Sequence, residues 1–187
     1  MKQRQIEEYE VNPFTLFIKP KRYGNKVYSQ IIEVEDEFLS PLKPLDIIKN
    51  SCFGSDYEGC RKGSMLLINA KHKIPIAIDP TNNLFFFPTA SPNREECIWI
   101  SLDHIKDLLR ISPKETLIIF RNKQSYIIPV AYSTIQNQIS HTATLKWKLM
   151  QRIEYNQKKS FYLMNRPLAL EASEKSPKYG KNSKSEE

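Results

Sequence analysis

Glycine is scarce in this 187-residue chain, at 5 residues, and cysteine and histidine number 3 each. With so little glycine, turns are set largely by the fixed dihedral of the 12 prolines. Three cysteines (Cys52, Cys60 and Cys97) are an odd number, which in a chain of this size argues against a disulfide framework. Their spacings from one another and from His72 match no zinc knuckle or ribbon, and there is no CxxC, so no metal is expected. His72, His104 and His141 fall in three separate elements, without a GxSxG or HExxH motif around them. Asp79, Glu95 and Glu96 could suggest a nuclease carboxylate cluster, but no lysine stands two residues after either glutamate. Lacking a nucleophile–base pair or a metal cage, the chain is expected to be no enzyme and to need no cofactor. No apolar run approaches the roughly 18 residues that span a bilayer, so no membrane partner is expected. The N-terminus MKQRQIEEYE has no apolar stretch and carries acids, unlike a secretory signal. A cytoplasmic protein with reduced thiols is the expectation.

What is present is an ordinary globular composition, 40% hydrophobic and 26% charged, enough for one domain with a sizeable core. The net charge of +7 is unevenly placed. Residues 1–100 hold 13 Lys/Arg and 13 Asp/Glu, whereas residues 101–166 hold 11 and 4. The tail 167–187 holds 4 of each sign. A localised cationic excess suits a polyanion, because neutralising phosphates releases condensed counterions.

Residues 9–19 and 26–34 alternate apolar and polar side chains around Arg22-Tyr23-Gly24-Asn25, which predicts an antiparallel hairpin. A short helix is expected near 44–52, with Pro44 in its first turn, followed by a loop at 53–63 holding three of the five glycines. Short strands are expected at 64–70, 74–79, 83–89 and 97–101, punctuated by Pro75, Pro80 and Pro88. The segment 103–111 fits either helix or strand. ETLIIF and QSYIIPV around Arg121-Asn122-Lys123 predict a second hairpin. A long helix is expected near 133–159, capped by Ser133, with Ile135, Ile139, Leu149, Met150 and Ile153 as its apolar stripe and Ala143 beside it. Together these elements predict an α+β single domain over 1–166, strand-rich at the front, with a disordered Lys/Ser/Glu-rich tail at 167–187.

Two features could bind nucleic acid. At 100° per residue, Asn137, His141, Lys148, Arg152 and Lys159 share one side of the long helix, opposite the apolar stripe, and Glu154 is the one acid in 133–159. A row of cations and amides without interleaved carboxylates suits phosphate contact. Trp147 lies off both stripes, and packing against the sheet is its expected use. The 53–63 loop offers Gly54, Gly59 and Gly63 with donors from Ser55, Tyr57, Arg61 and Lys62, which could grip phosphates, although it lacks P-loop order. Arg94, in SPNREE, is a further candidate. Two other classes stay open on these residues: a protein-interaction module without a nucleic-acid role, and a general nucleic-acid binder without sequence selectivity. The FFF at 85–87 could be read as RNA-stacking aromatics, but consecutive residues of a strand point to both faces, and most should be core.

Several segments resemble the ComK family of competence transcription factors. They are PLKPLDIIKNSC (41–52), FGSDYEG with Arg61-Lys62, HKIPIAIDPTNNLFFFPTASP (72–92), CIWISLDHI (97–105) and IIPVAYSTIQNQISHTATL (127–145). The similarity keeps its order over roughly residues 27–166. The resemblance implies an activator of DNA-uptake genes that binds as an oligomer to paired AT-rich promoter boxes, mainly from the minor groove. It also implies control by an adaptor of a Clp protease, docking on a segment that matches Phe161, Tyr162, Leu163 and Met164 here. Family members usually place Gly directly before Arg-Lys; here Cys60 intervenes between Gly59 and Arg61.

Overall fold

The computed structural model describes residues 3–54 and 56–165. Ser55 and the expected tail 167–187 lie outside the described residues. The chain divides into two units, Met1–Ile153 and one beginning at Glu154.

The first unit opens with β1 (Gln3–Gln5), β2 (Thr15–Tyr23), β3 (Lys26–Glu33) and β4 (Glu37–Ser40). The β2–β3 hairpin turns in two residues at the expected place, with Gly24 at φ +60°, a conformation a side chain would strain. Helices α1 (Pro44–Asn50) and α2 (Tyr57–Ile68) follow, then β5 (Ile76–Asp79), β6 (Leu84–Pro88) and β7 (Trp99–Ser101). These seven strands form one sheet in the order β1-β4-β3-β2-β7-β6-β5, antiparallel except where β1 joins β4. Strands β8 (Ile105–Ser112), β9 (Glu115–Phe120) and β10 (Ser125–Ile128) make a separate antiparallel sheet, and helix α3 (Tyr132–Met164) closes the described chain. The architecture is α+β, with both hairpins, the short helix and the long C-terminal helix.

Strand alternation sorts the core. Ile18, Ile31, Phe86 and Trp99 pack with Ile47 and Ile48 of α1 and Tyr57 of α2. Their neighbours Phe17, Ile32, Phe87 and Ile100 pack in a second cluster with Ile118 and Phe120 of β9 and Ile135 of α3. Phe85 belongs to a third cluster, with Ala77 of β5 and Leu145 of α3. All three phenylalanines are fully buried, so none is available to stack on bases.

Three expectations are corrected, and one segment left open between helix and strand is settled. Most of the expected 53–63 loop and of the strand at 64–70 is a single helix, α2. Asp56 caps α2 by accepting from the Gly59 amide at 2.7 Å, and Tyr57 and Ser64 are the buried side chains of a helical, not alternating, pattern. The ambiguous segment 103–111 is largely strand β8. Ser133 is not the cap of α3: the helix begins at Tyr132, and the Ala131 carbonyl accepts from the amides of Thr134 and Ile135. The fully buried face of α3 lies to one side of the expected stripe, of which Ile135 is buried and Ile139, Leu149 and Met150 pack partly buried against the core. That face comprises Ile135, Gln138, Thr142 and Leu145, while Ala143 is exposed. Two polar residues sit in it because both are satisfied: Gln138 donates to two carbonyls, and Thr142 Oγ1 donates to the Gln138 carbonyl at 2.6 Å.

Candidate nucleic-acid interface

Arg61 lies in the second turn of α2, half-buried, and pairs with Glu58 one turn back at 3.5 Å. Lys62 follows it and is exposed. Helix α2 is held on the sheet by Tyr57, whose phenol burial pushes its pKa up to about 12, against the pull of the Arg61 charge. Beside it Cys52, at the end of α1, is pushed up to about 12 by burial and then by the neighbouring Cys60. Burial likewise lifts Cys97 to about 11. These thiols are protonated packing groups.

The far end of α2 supplies the link to α3. The helix ends at Ile68, with Asn69 left-handed at φ +52°, and has no basic residue in its last turn. Lys148 of α3 provides the missing cation: its ammonium donates to the Leu67 carbonyl at 2.7 Å. Ten residues earlier on α3, buried Gln138 donates through Nε2 to the Lys73 carbonyl at 2.8 Å and the Pro88 carbonyl at 2.7 Å. Asn137, His141 and Arg152 are exposed. Lys146 is engaged otherwise, in an ion pair with Asp103 and with its ammonium 5.7 Å from the centre of the Phe85 ring. Part of the cationic excess of 101–166 is therefore structural.

Arg61 and Arg94, from segments 33 residues apart, line the same concave pocket of about 500 Å³. Arg94 is exposed and pairs with Glu96 at 3.4 Å. Thus Arg61 and Arg94 share a pocket, and Lys148 anchors the helix that carries Asn137, His141 and Arg152 to the end of α2. Trp147 does not pack into the sheet as expected. It is 63% exposed and lines a groove of about 800 Å³ with Ile105 and Leu108 of β8 and Met150 of α3.

A family model described as ComK protein matches residues 6–154. The chain belongs to the ComK family. A curated relative, the competence transcription factor of Bacillus subtilis (strain 168), is 38% identical over 152 residues, which cover 80% of this chain and 79% of the relative. No solved structure matches. The ComK match spans β2 to β10, α1, α2 and the α3 face carrying Asn137, His141, Lys148 and Arg152; it begins after β1 and stops before Phe161. In the unit that begins at Glu154, α3 continues to Met164, and Phe161, Tyr162, Leu163 and Met164 are 58–84% exposed.

Among the described residues, no group of three or more His, Cys, Asp or Glu side chains could hold a metal ion, and no helix is long and apolar enough to cross a membrane. Sequence reasoning misses Lys71, His72 and Lys73 as a basic run, although KHK is plain in the sequence and all three line the pocket with Arg61 and Arg94. It also misses Gln138, whose one signal is a long amide at a helix position where an aliphatic residue would be expected.

Proposed function

We propose that this protein is a transcription activator of competence genes that binds double-stranded DNA at AT-rich promoter boxes, mainly through the minor groove, as a homo-oligomer. Family membership supports the regulatory role, and the Bacillus subtilis relative is named a competence transcription factor. The observation that carries the DNA reading is the junction of α2 and α3. Helix α3, which carries Asn137, His141, Lys148 and Arg152, is hydrogen-bonded through Lys148 to the end of α2, the helix of Arg61 and Lys62, and through Gln138 to the loop that lines a pocket with Arg61 and Arg94. An ammonium has three N–H groups, so the bond from Lys148 to Leu67 leaves others for a phosphate. Narrow A·T minor grooves concentrate negative potential and attract such side chains without a major-groove recognition motif.

The exposed apolar run Phe161, Tyr162, Leu163 and Met164 is, on this reading, the docking segment for a Clp protease adaptor, since short apolar clusters on a helix suit groove binding.

A mobility-shift titration with an AT-box duplex and a GC-matched control, at graded salt, tests the proposal. Preferential, salt-dependent binding of the AT duplex is expected. Changing Arg152 to Glu should weaken it and lower the salt slope by about 1 for each phosphate no longer engaged. Equal, weak binding of both duplexes would reduce the protein to an unselective nucleic-acid binder.

A further inference from the structure

The pocket that Arg61 and Arg94 share has a second wall. Lys71, His72 and Lys73 line it from the loop between α2 and β5, facing the 89–94 turn, which contributes Ser91. Among the described residues, no carboxylate lines this pocket. Glu58 and Glu96 each engage one arginine through a single contact of 3.4–3.5 Å, both carboxylates are exposed, and Glu95, next to Arg94, pairs with Arg22 at 3.1 Å. Exposed pairs of this kind are weak and yield readily to a competing anion. Four permanent cations therefore face one concavity with little to neutralise them.

The loop is built rather than slack. Two of its residues, Asn69 and Lys73, hold left-handed backbone at φ +52° and +48°, a conformation L side chains adopt at a cost. The bond from Gln138 to the Lys73 carbonyl keeps the loop in that shape. The same Nε2 reaches the Pro88 carbonyl, next to Thr89 at the start of the opposite wall. Gln138 is 3% exposed, so the donor itself is shielded from water. A single buried amide thus ties both walls of the cationic pocket to α3.

We propose that this pocket seats backbone phosphates of bound duplex DNA, with Lys71, His72, Lys73, Arg61 and Arg94 as donors and Gln138 as the positioning residue. The inference rests on the promoter-binding reading and adds a division of labour to it. Phosphate contacts fix register and affinity but carry no base sequence, so the pocket sets how tightly the duplex is held, and the α3 face is left to discriminate AT from GC.

The test uses the full chain carrying Lys71→Gln and Lys73→Gln together. Glutamine keeps much of the side-chain length and meets the positive φ at position 73 no worse than lysine. A control chain carries Lys26→Gln and Lys49→Gln, two exposed lysines on β3 and α1 away from the pocket. Binding to the AT-box duplex and the GC control is titrated from about 50 to 200 mM salt. The pocket variant should bind both duplexes at least about tenfold more weakly, with the log–log salt slope smaller by about 1.8 and the AT/GC ratio unchanged. An unchanged slope, a slope reduction matched by the control chain, or a collapse of the AT/GC ratio overturns the phosphate seat, while selective wild-type binding leaves the promoter reading intact. If the wild-type chain shows no salt-dependent duplex binding, the promoter reading itself falls.

Discussion

Replacing Gln138 with methionine keeps a flexible side chain of similar length and volume but removes both Nε2–H donors. Two carbonyls, those of Lys73 and Pro88, lose partners at 2.8 and 2.7 Å, and the Pro88 bond is fully buried. An orphaned buried carbonyl costs about 1–3 kcal/mol; the Lys73 carbonyl, part-buried, regains some of this from water. The expected destabilisation is about 2–4 kcal/mol. For a cooperative unit of this size, each kcal/mol lowers Tm by about 2–4 °C, so the midpoint should fall by roughly 5–15 °C. Thermal unfolding followed by circular dichroism reads this directly. Since the removed bonds hold the strained loop at Lys73, proteolysis near Lys71 and Lys73 should also quicken well below the midpoint. A Tm within about 2 °C of wild type would refute the view that this amide ties α3 to both walls of the pocket.

Alkaline stability should decline in a defined window. Burial raises Cys97 to about 11 and Cys52 and Tyr57 to about 12, from ordinary values of 9.0 for the thiols and 10.0 for the phenol. The folded state therefore binds these protons more tightly, so their contribution is intact below pH 9 and is lost as pH rises toward 12. Urea midpoints at about pH 8, 9.5 and 10.5 should fall in that order; a flat series would contradict the burial of these groups. Asp56→Ala removes the cap of α2 and should cost about 1 kcal/mol, seen as a lower urea midpoint with an unchanged m value. Phe161→Ala and Leu163→Ala together should leave Tm unchanged, because both side chains are more than half exposed, yet slow adaptor-dependent degradation in a reconstituted Clp assay.

Elements whose period is unambiguous are legible in the sequence. The β2–β3 and β9–β10 hairpins follow from alternation around short polar turns, and α3 from an uninterrupted stretch without proline or glycine. Helix α2 is obscured because Gly59 and Gly63 interrupt it and Leu66 lies exposed, so its apolar residues look like a short run beginning at Met65. Its capping signal is the Asp56 side chain three residues before Gly59. In α3 the eye follows isoleucine and leucine, while the buried face includes Gln138 and Thr142, and the place of Gln138 there depends on the distant Lys73 and Pro88 carbonyls. Periodicity cannot reveal a partner 50 or 65 residues away. The site shows the same division: cations on α3 can be aligned by counting, but the meeting of Arg61 with Arg94 and the KHK run depends on tertiary packing.

The tripeptide Phe85-Phe86-Phe87 has a further consequence. Its three rings enter three different clusters, one reaching α3 through Leu145, one reaching α1 and α2, and one reaching β9. Strand β6 therefore acts as a keystone: neither the helices on one side nor the small sheet on the other can melt without disturbing the same three consecutive residues. Loosening any layer is transmitted to the others within one peptide length, and the first unit should come apart in a single step.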